Sequence, residues 1–183
     1  MTLSELWELF PIVLEPHSEL WKTYTEDFEA ALKDYLKGFK IKEINHIGST
    51  AIKGIWAKPI IDILVEIAPE ENMENVVKAL ENNGFIIMSR EGNRISLNQG
   101  YTINGFAEKV CHVHLRFAGD NYELYFRNYL NANPQIAKEY EQLKLQLCKQ
   151  YEHNRDAYTE AKTKFVNKWT AVAKEIASPR RSS

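Results

Sequence analysis

Residues 60–67, IIDILVEI, carry two carboxylates, Asp62 and Glu66, among branched apolar residues. That composition marks a buried strand. Alternation along it puts Ile60, Asp62, Leu64 and Glu66 on one face. An ionised carboxylate in such surroundings is costly unless a cation meets it. Upstream, the short strand over 42–47 is broken by Gly48-Ser49-Thr50, small residues suited to a tight turn or a helix N-cap. Turns of this kind aim backbone N–H groups outward and hold anions. The chemistry this suggests is a phosphate on the turn and a divalent metal on Asp62 bridging to it. A carboxylate satisfied by a nearby lysine or by backbone is the plainer alternative.

His112 and His114 stand two apart in a clearly alternating stretch, 108–117, so both imidazoles share a face with Val110 and Arg116. Two imidazoles at that spacing can converge on a metal, a phosphate or a substrate carboxylate. His46, just before the turn, joins them if its strand neighbours theirs. Lys58 precedes the carboxylate strand and is placed to neutralise Asp62 or to contact phosphate. Arg94, at a strand start, and Arg127, on an otherwise apolar helix, are candidate anion clamps; a structural ion pair is the competing role for Arg127. Tyr101 and Asn104 sit in a turn-rich stretch and are weaker ligand contacts. Trp7, Trp21, Tyr140, Phe165 and Trp169 read as core.

The elements that must position these groups follow from periodicity. A short helix is expected over 2–10. A longer one runs over 18–37, with Ser18 as N-cap and Leu20, Tyr24, Phe28, Ala31, Leu32 and Tyr35 as its apolar stripe. Another spans 72–83, with Met73, Val76, Val77 and Leu80 inward and Gly84 at its end. Strands are expected over 85–88 and 94–97, joined by a turn over 89–93, and then a loop over 99–106. The remainder is helical: 122–131, 134–151 and 155–177, with a frayed tail over 178–183. The fold class is α+β, a small mixed sheet wrapped by helices. One domain accounts for the 183 residues, with a core over about 18–120 and a helical part over about 121–177.

Composition narrows the partners. Hydrophobic content of 44% and charged content of 26% are ordinary for a globular chain. A net charge of −2 gives no global basic field, which argues against nucleic acid. No apolar run reaches membrane-spanning length. Cys111 and Cys148 lie outside any zinc or CxxC spacing and suit a reducing, cytoplasmic setting.

HIGSTAIKGIWAKPIIDILVEI, over 46–67, resembles the signature of the GrpB family, and so do HVHLR (112–116), ELYFRNYL with NPQIAKEY, and the late YTEAKTKFV. The likeness extends from about 21 to 173. It implies a nucleotidyltransferase-like fold, a superfamily in which a Gly-Ser turn binds triphosphate and an Asp-x-Asp strand carries two magnesium ions. Carried over, Gly48 and Ser49 match the turn and Asp62 matches the second aspartate. The first aspartate falls on Ile60, which ligates nothing. Glu66 lies about 13 Å along the strand, too far to replace it. The histidines fixed in the family map to His46, His112 and His114, and His112 or His114 stands where the superfamily's third carboxylate usually sits.

The resulting expectation is an enzyme of nucleotidyl- or phosphoryl-transfer type. Asp62, His112 and His114 are the catalytic group. Gly48, Ser49, Thr50, Lys58, His46, Arg94 and Arg127 hold a phosphorylated small molecule. Asp62 and His112 ligate one Mg²⁺ or Mn²⁺. The alternative is a non-catalytic binder of a nucleotide or another anion that has lost the two-metal carboxylate set.

Overall fold

Strand β2 (Ile61–Ile67) is buried at every position except Asp62, and the rest of the molecule is assembled around it. A computed structural model of the chain describes residues 5 and 8–178. β1 (Ile41–Ile47) pairs antiparallel along one edge of β2. β5 (Gly105–Phe117) pairs parallel along the other, followed by β4 (Arg94–Thr102) and β3 (Ile86–Glu91). The order β1-β2-β5-β4-β3 makes the mixed sheet of the expected α+β class.

The β2–β5 register sets Asp62 beside His112 and Leu64 beside His114. The opposite face carries Ile61, Ile63, Val65, Cys111, Val113 and Leu115, all buried. Helices α1 (Leu20–Tyr35) and α2 (Met73–Glu81) close over that apolar face through Trp21, Leu32, Val76 and Leu80. In α2 the Asn72 side chain caps the Asn75 N–H, and Met73, Val76, Val77 and Leu80 are the inward residues. In α1 the Ser18 hydroxyl accepts from the Leu20 N–H, but the Leu20 side chain is exposed; Trp21 takes the inward place. The expected helix over 2–10 and its Trp7 lie mostly outside the described residues, as does nearly all of the tail.

The polar face is covered by α3 (Tyr122–Ala132), α4 (Pro134–Gln150) and α5 (Arg155–Ala177). Ile52, Ile55, Phe126, Leu130, Ala137 and Tyr140 form their shared core. Between them the segment after the Gly48 turn is gripped at Trp56. Its N–H donates to Glu141 Oε1 at 2.7 Å, and its carbonyl accepts from Lys144 Nζ.

Strands β3, β4 and β5 are longer than periodicity suggested. β3 and β4 meet at a two-residue turn, Gly92-Asn93, and β4 continues through the first half of the expected loop, whose end is taken by β5. Gly100 (φ +97°) accommodates a register shift there, so turn-forming residues mark a bulge and not a loop.

Glu66 is buried and turned away from Asp62. It accepts from the Gly119 N–H at 2.8 Å and from Asn121 Nδ2 at 3.1 Å, which fixes the turn between β5 and α3. Glu66→Leu orphans both donors and should cost about 2 kcal/mol in urea unfolding. An unchanged midpoint would show that the turn holds without it.

Candidate functional site

Asp62 Oδ1 is met from two sides by imidazole nitrogen, His114 Nε2 at 2.9 Å and His112 Nδ1 at 3.4 Å. Both contacts follow from strand geometry: a residue beside Asp62 on the parallel neighbour, and the next one along the same face. The far nitrogens also have neighbours. His112 Nε2 pairs with the Tyr101 hydroxyl at 2.9 Å, and His114 Nδ1 lies 3.5 Å from Ser96 Oγ. Tyr101 in turn accepts from the Arg155 guanidinium at 2.6 Å. Burial alone would raise the Asp62 carboxyl. The hydrogen bonds from His112 and His114 outweigh it and hold the group well below the usual carboxylate range. Burial lowers His112, against the pull of Asp62.

Gly48 packs directly on this carboxylate. A Cβ there would lie 2.5 Å from Asp62 Oδ2 and 3.0 Å from its Cβ, and φ is +74°. Only glycine brings the turn this close to the acid. Ser49–Ala51 then forms a single 3₁₀ turn, with Ser49 beside the Tyr140 hydroxyl, which burial pushes up to about 12. Thr50 is less free than expected. Its hydroxyl donates to the Ile60 carbonyl at 3.1 Å and pairs with His46 Nε2 at 2.8 Å, so it fastens the turn to the start of the carboxylate strand.

Gly48, Ser49, Asp62, His112 and His114 all open onto one cavity of about 510 Å³. Its other wall comes from α4 and α5 and was not anticipated. Lys144, Arg155 and Lys162 line it with Lys58 and Arg94, while Asp62 and Glu123 are the carboxylates among its described lining residues. Burial, with repulsion among these cations behind it, lowers the three lysines. Burial first, then Lys162 and Arg155, lowers Lys58 to about 7. Burial and Lys162 bring Lys144 to about 7, and burial brings Lys162 to about 8. Lys58 and Lys162 also stand over the Tyr158 ring, 5.5 and 4.5 Å from its centroid.

Two expected site residues lie elsewhere. His46 is behind the turn, held by Thr50 and by Thr25 Oγ1 at 3.3 Å, and burial lowers it to about 4. It braces the turn as a neutral ring. Arg127 donates to the His46 carbonyl at 2.7 Å and to Asn128; it ties α3 to β1 and does not line the cavity. Arg94 does line it, but its guanidinium already forms a two-point pair with Asp120, at 2.8 and 2.6 Å. Asn104 sits in the tip of the β4–β5 hairpin, outside the described cavities.

The two-magnesium arrangement does not fit these residues. Ile60 is buried at the first-aspartate position and Glu66 is committed to Gly119. A single ion does fit. Asp62, His112 and His114 each offer a ligand atom within 4.8 Å of the others. Two imidazoles and a carboxylate favour Mn²⁺, Fe²⁺ or Zn²⁺ over Mg²⁺, which prefers oxygen. The hydroxyls of Tyr101 and Ser96 occupy the places from which ligating imidazoles are usually oriented.

Among the described residues, no helix is long and apolar enough to cross a membrane. The family model described as "GrpB protein" matches residues 11–171. The chain is 39% identical over 165 residues to the glutamate-rich protein GrpB of Alkalihalophilus pseudofirmus, covering 85% of this chain and 92% of that one. It is 32% identical to the YqkA protein of Bacillus subtilis over 96% of this chain, but spans only 50% of that relative. Among solved structures, the conserved protein GrpB from Enterococcus faecalis superposes with a TM-score of 0.77 at 30% identity, covering 91% of this chain and all of that one. The Cid1 poly(U) polymerase with MgGTP bound superposes at 0.51 with 15% identity, over 80% of this chain and 45% of the polymerase. That likeness concerns the fold, which is nucleotidyltransferase-like.

Proposed function

The chain belongs to the GrpB family, and from that membership and the cavity's chemistry we propose that it is an enzyme of nucleotidyl- or phosphoryl-transfer type. Its substrate is a nucleotide or another phosphorylated small molecule. One observation carries the reading: the Gly48-Ser49 turn, Asp62 with its two imidazoles, and the wall of Lys58, Lys144, Lys162 and Arg155 face the same space. Phosphate oxygens placed at the turn would meet the lysines and Arg155, which neutralise charge on the transferred group. Tyr101 and Ser96 hold the outer nitrogens of His112 and His114, so both rings stay turned toward Asp62. A divalent ion bound at Asp62, His112 and His114 would supply Lewis-acid stabilisation of the phosphoryl oxygens. With Cys111 and Cys148 both free thiols, a reducing, cytoplasmic setting suits the protein.

A specific observation supports a second reading. Ile60 removes one carboxylate that two-metal transfer needs, so the cavity could serve a protein that binds a nucleotide without turning it over.

Calorimetric titration with ATP tests the shared part of both. Lys58, Lys144 and Lys162 are lowered from the ordinary lysine value, so near pH 8 they are partly neutral in the free protein. Arg155 and Asp62 are the fixed charges facing them, with Glu141 beside Lys144. A bound polyanion raises their affinity for protons. Binding should therefore take up protons at pH 8 and weaken about tenfold or more between pH 7 and pH 9. Titration in two buffers of different ionisation enthalpy reads the uptake directly. No binding of ATP or of inorganic triphosphate at pH 7, with or without Mn²⁺, defeats both readings. Binding with no release of pyrophosphate or phosphate to any acceptor leaves the second.

A further inference from the structure

A second cavity, of about 790 Å³, lies on the β3–β4 side of His112. It shares His112, Arg155 and Thr159 with the basic cleft, so the two spaces meet at the catalytic group. Its character is opposite. Phe10, Ile86, Met88, Tyr101 and Ile103 supply much of the described wall, and Ile86, Met88 and Ile103 are exposed there. At its floor is Asn98, which is 1% exposed and pairs in register with His112. Neither amide atom of Asn98 closes a hydrogen bond of normal geometry; the Tyr101 hydroxyl, already engaged with His112 and Arg155, is its polar neighbour. A buried amide with both ends unpartnered destabilises a fold, and such a group calls for a ligand or another functional cause. A large apolar pocket with one buried polar group is also the usual build of a small-molecule site.

We propose that this cavity is the acceptor chamber, taking a neutral, largely apolar molecule that presents a hydroxyl at His112, where the two cavities meet. The inference rests on the transfer reading above. In-line displacement at phosphorus requires the nucleophile to enter opposite the leaving group. With phosphates on the Gly48-Ser49 and lysine side, the opposite approach to Asp62 and His112 is from this chamber. The acceptor oxygen forms the new P–O bond to a nucleoside triphosphate. The bond from that phosphorus to the pyrophosphate oxygen breaks, and its electron pair leaves with pyrophosphate. The hydroxyl proton is released to solvent water. Asn98 hydrogen-bonds a polar edge of the acceptor and so selects its orientation.

The test uses the full chain and N-phenyl-1-naphthylamine, a neutral aromatic probe that brightens in apolar surroundings. Thr163, on the solvent side of α5, and Met88, on β3, line the chamber without touching the basic cleft. Thr163→Trp and Met88→Trp fill it from opposite walls. The wild type should bind the probe saturably at one site. Each variant should weaken that binding at least tenfold while titrating inorganic triphosphate as the wild type does. No saturable probe binding, or equal binding in all three proteins, with triphosphate still bound, overturns the acceptor chamber alone. If triphosphate binds none of them, the transfer reading falls and the acceptor assignment falls with it.

Discussion

Asp62→Asn should abolish tight Mn²⁺ binding and, with it, any transfer of phosphate, while the chain stays folded. The amide keeps the shape of the carboxylate and one acceptor for His114, so the structural loss is limited to weakened hydrogen bonds, about 1–2 kcal/mol. The functional loss is larger. Mutating even an outer partner of a metal ligand costs about 10–100-fold in affinity, and here a ligand itself is removed. The expected result is more than a hundredfold loss of Mn²⁺ affinity by calorimetry, alongside a cooperative urea transition near that of the wild type. Equal Mn²⁺ affinity in the two proteins would end the metal assignment. It would leave Asp62 as the anchor of two imidazoles and nothing more.

Gly48→Val should produce the largest change in stability. The new Cβ meets Asp62 Oδ2 and Cβ at distances that side chains do not tolerate, and a β-branched residue is held at φ +74°. Backbone strain of about 1–3 kcal/mol adds to a packing clash of about 1–3 kcal/mol, so a loss of roughly 3 kcal/mol or more is expected in denaturant unfolding. The turn can relieve the clash only by lifting off Asp62. Anion affinity should fall too, even at temperatures where the variant remains folded. Gly48→Ala gives the milder version of the same effect, and a Gly48→Ala protein as stable as the wild type would show that the turn does not rest on the acid.

The half of the site carried by strands was legible because strand geometry is nearly digital. Alternation alone puts His112 and His114 on one face and marks Asp62 as a carboxylate in an otherwise apolar strand. What it could not give was the neighbour relation, which depends on β2 and β5 pairing in parallel. His46 is on the sheet as expected, yet β1 pairs with the other edge of β2, and its ring is absorbed by Thr50 and Thr25. Arg127 was ambiguous between clamp and brace, and only tertiary contact could decide.

The basic wall was missed for a different reason. In the sequence the helices over 134–151 and 155–177 carry no expected site residue, and Tyr140, Phe165 and Trp169 read as core. A sharper signal was present: Ala137, Tyr140, Glu141, Lys144 and Leu147 form the buried side of α4, with an acid and a lysine inside the stripe. Lys162 interrupts the α5 stripe of Tyr158, Phe165 and Trp169 in the same way. A charged residue at an inward helical position demands a partner or a ligand. The β4 extension was hidden by Gly100, whose usual association with loops concealed a bulge.

Because its acid and its imidazoles ride on two strands that other elements of the chain separate, the centre does not exist until those strands have paired. Hairpin β3–β4–β5 can form locally, but it holds only nitrogen donors; the oxygen donor arrives when β2 docks alongside. Tight uptake of a transition ion by a refolding population would then clock the last long-range docking step, making the ion a gauge of maturation as well as a reagent.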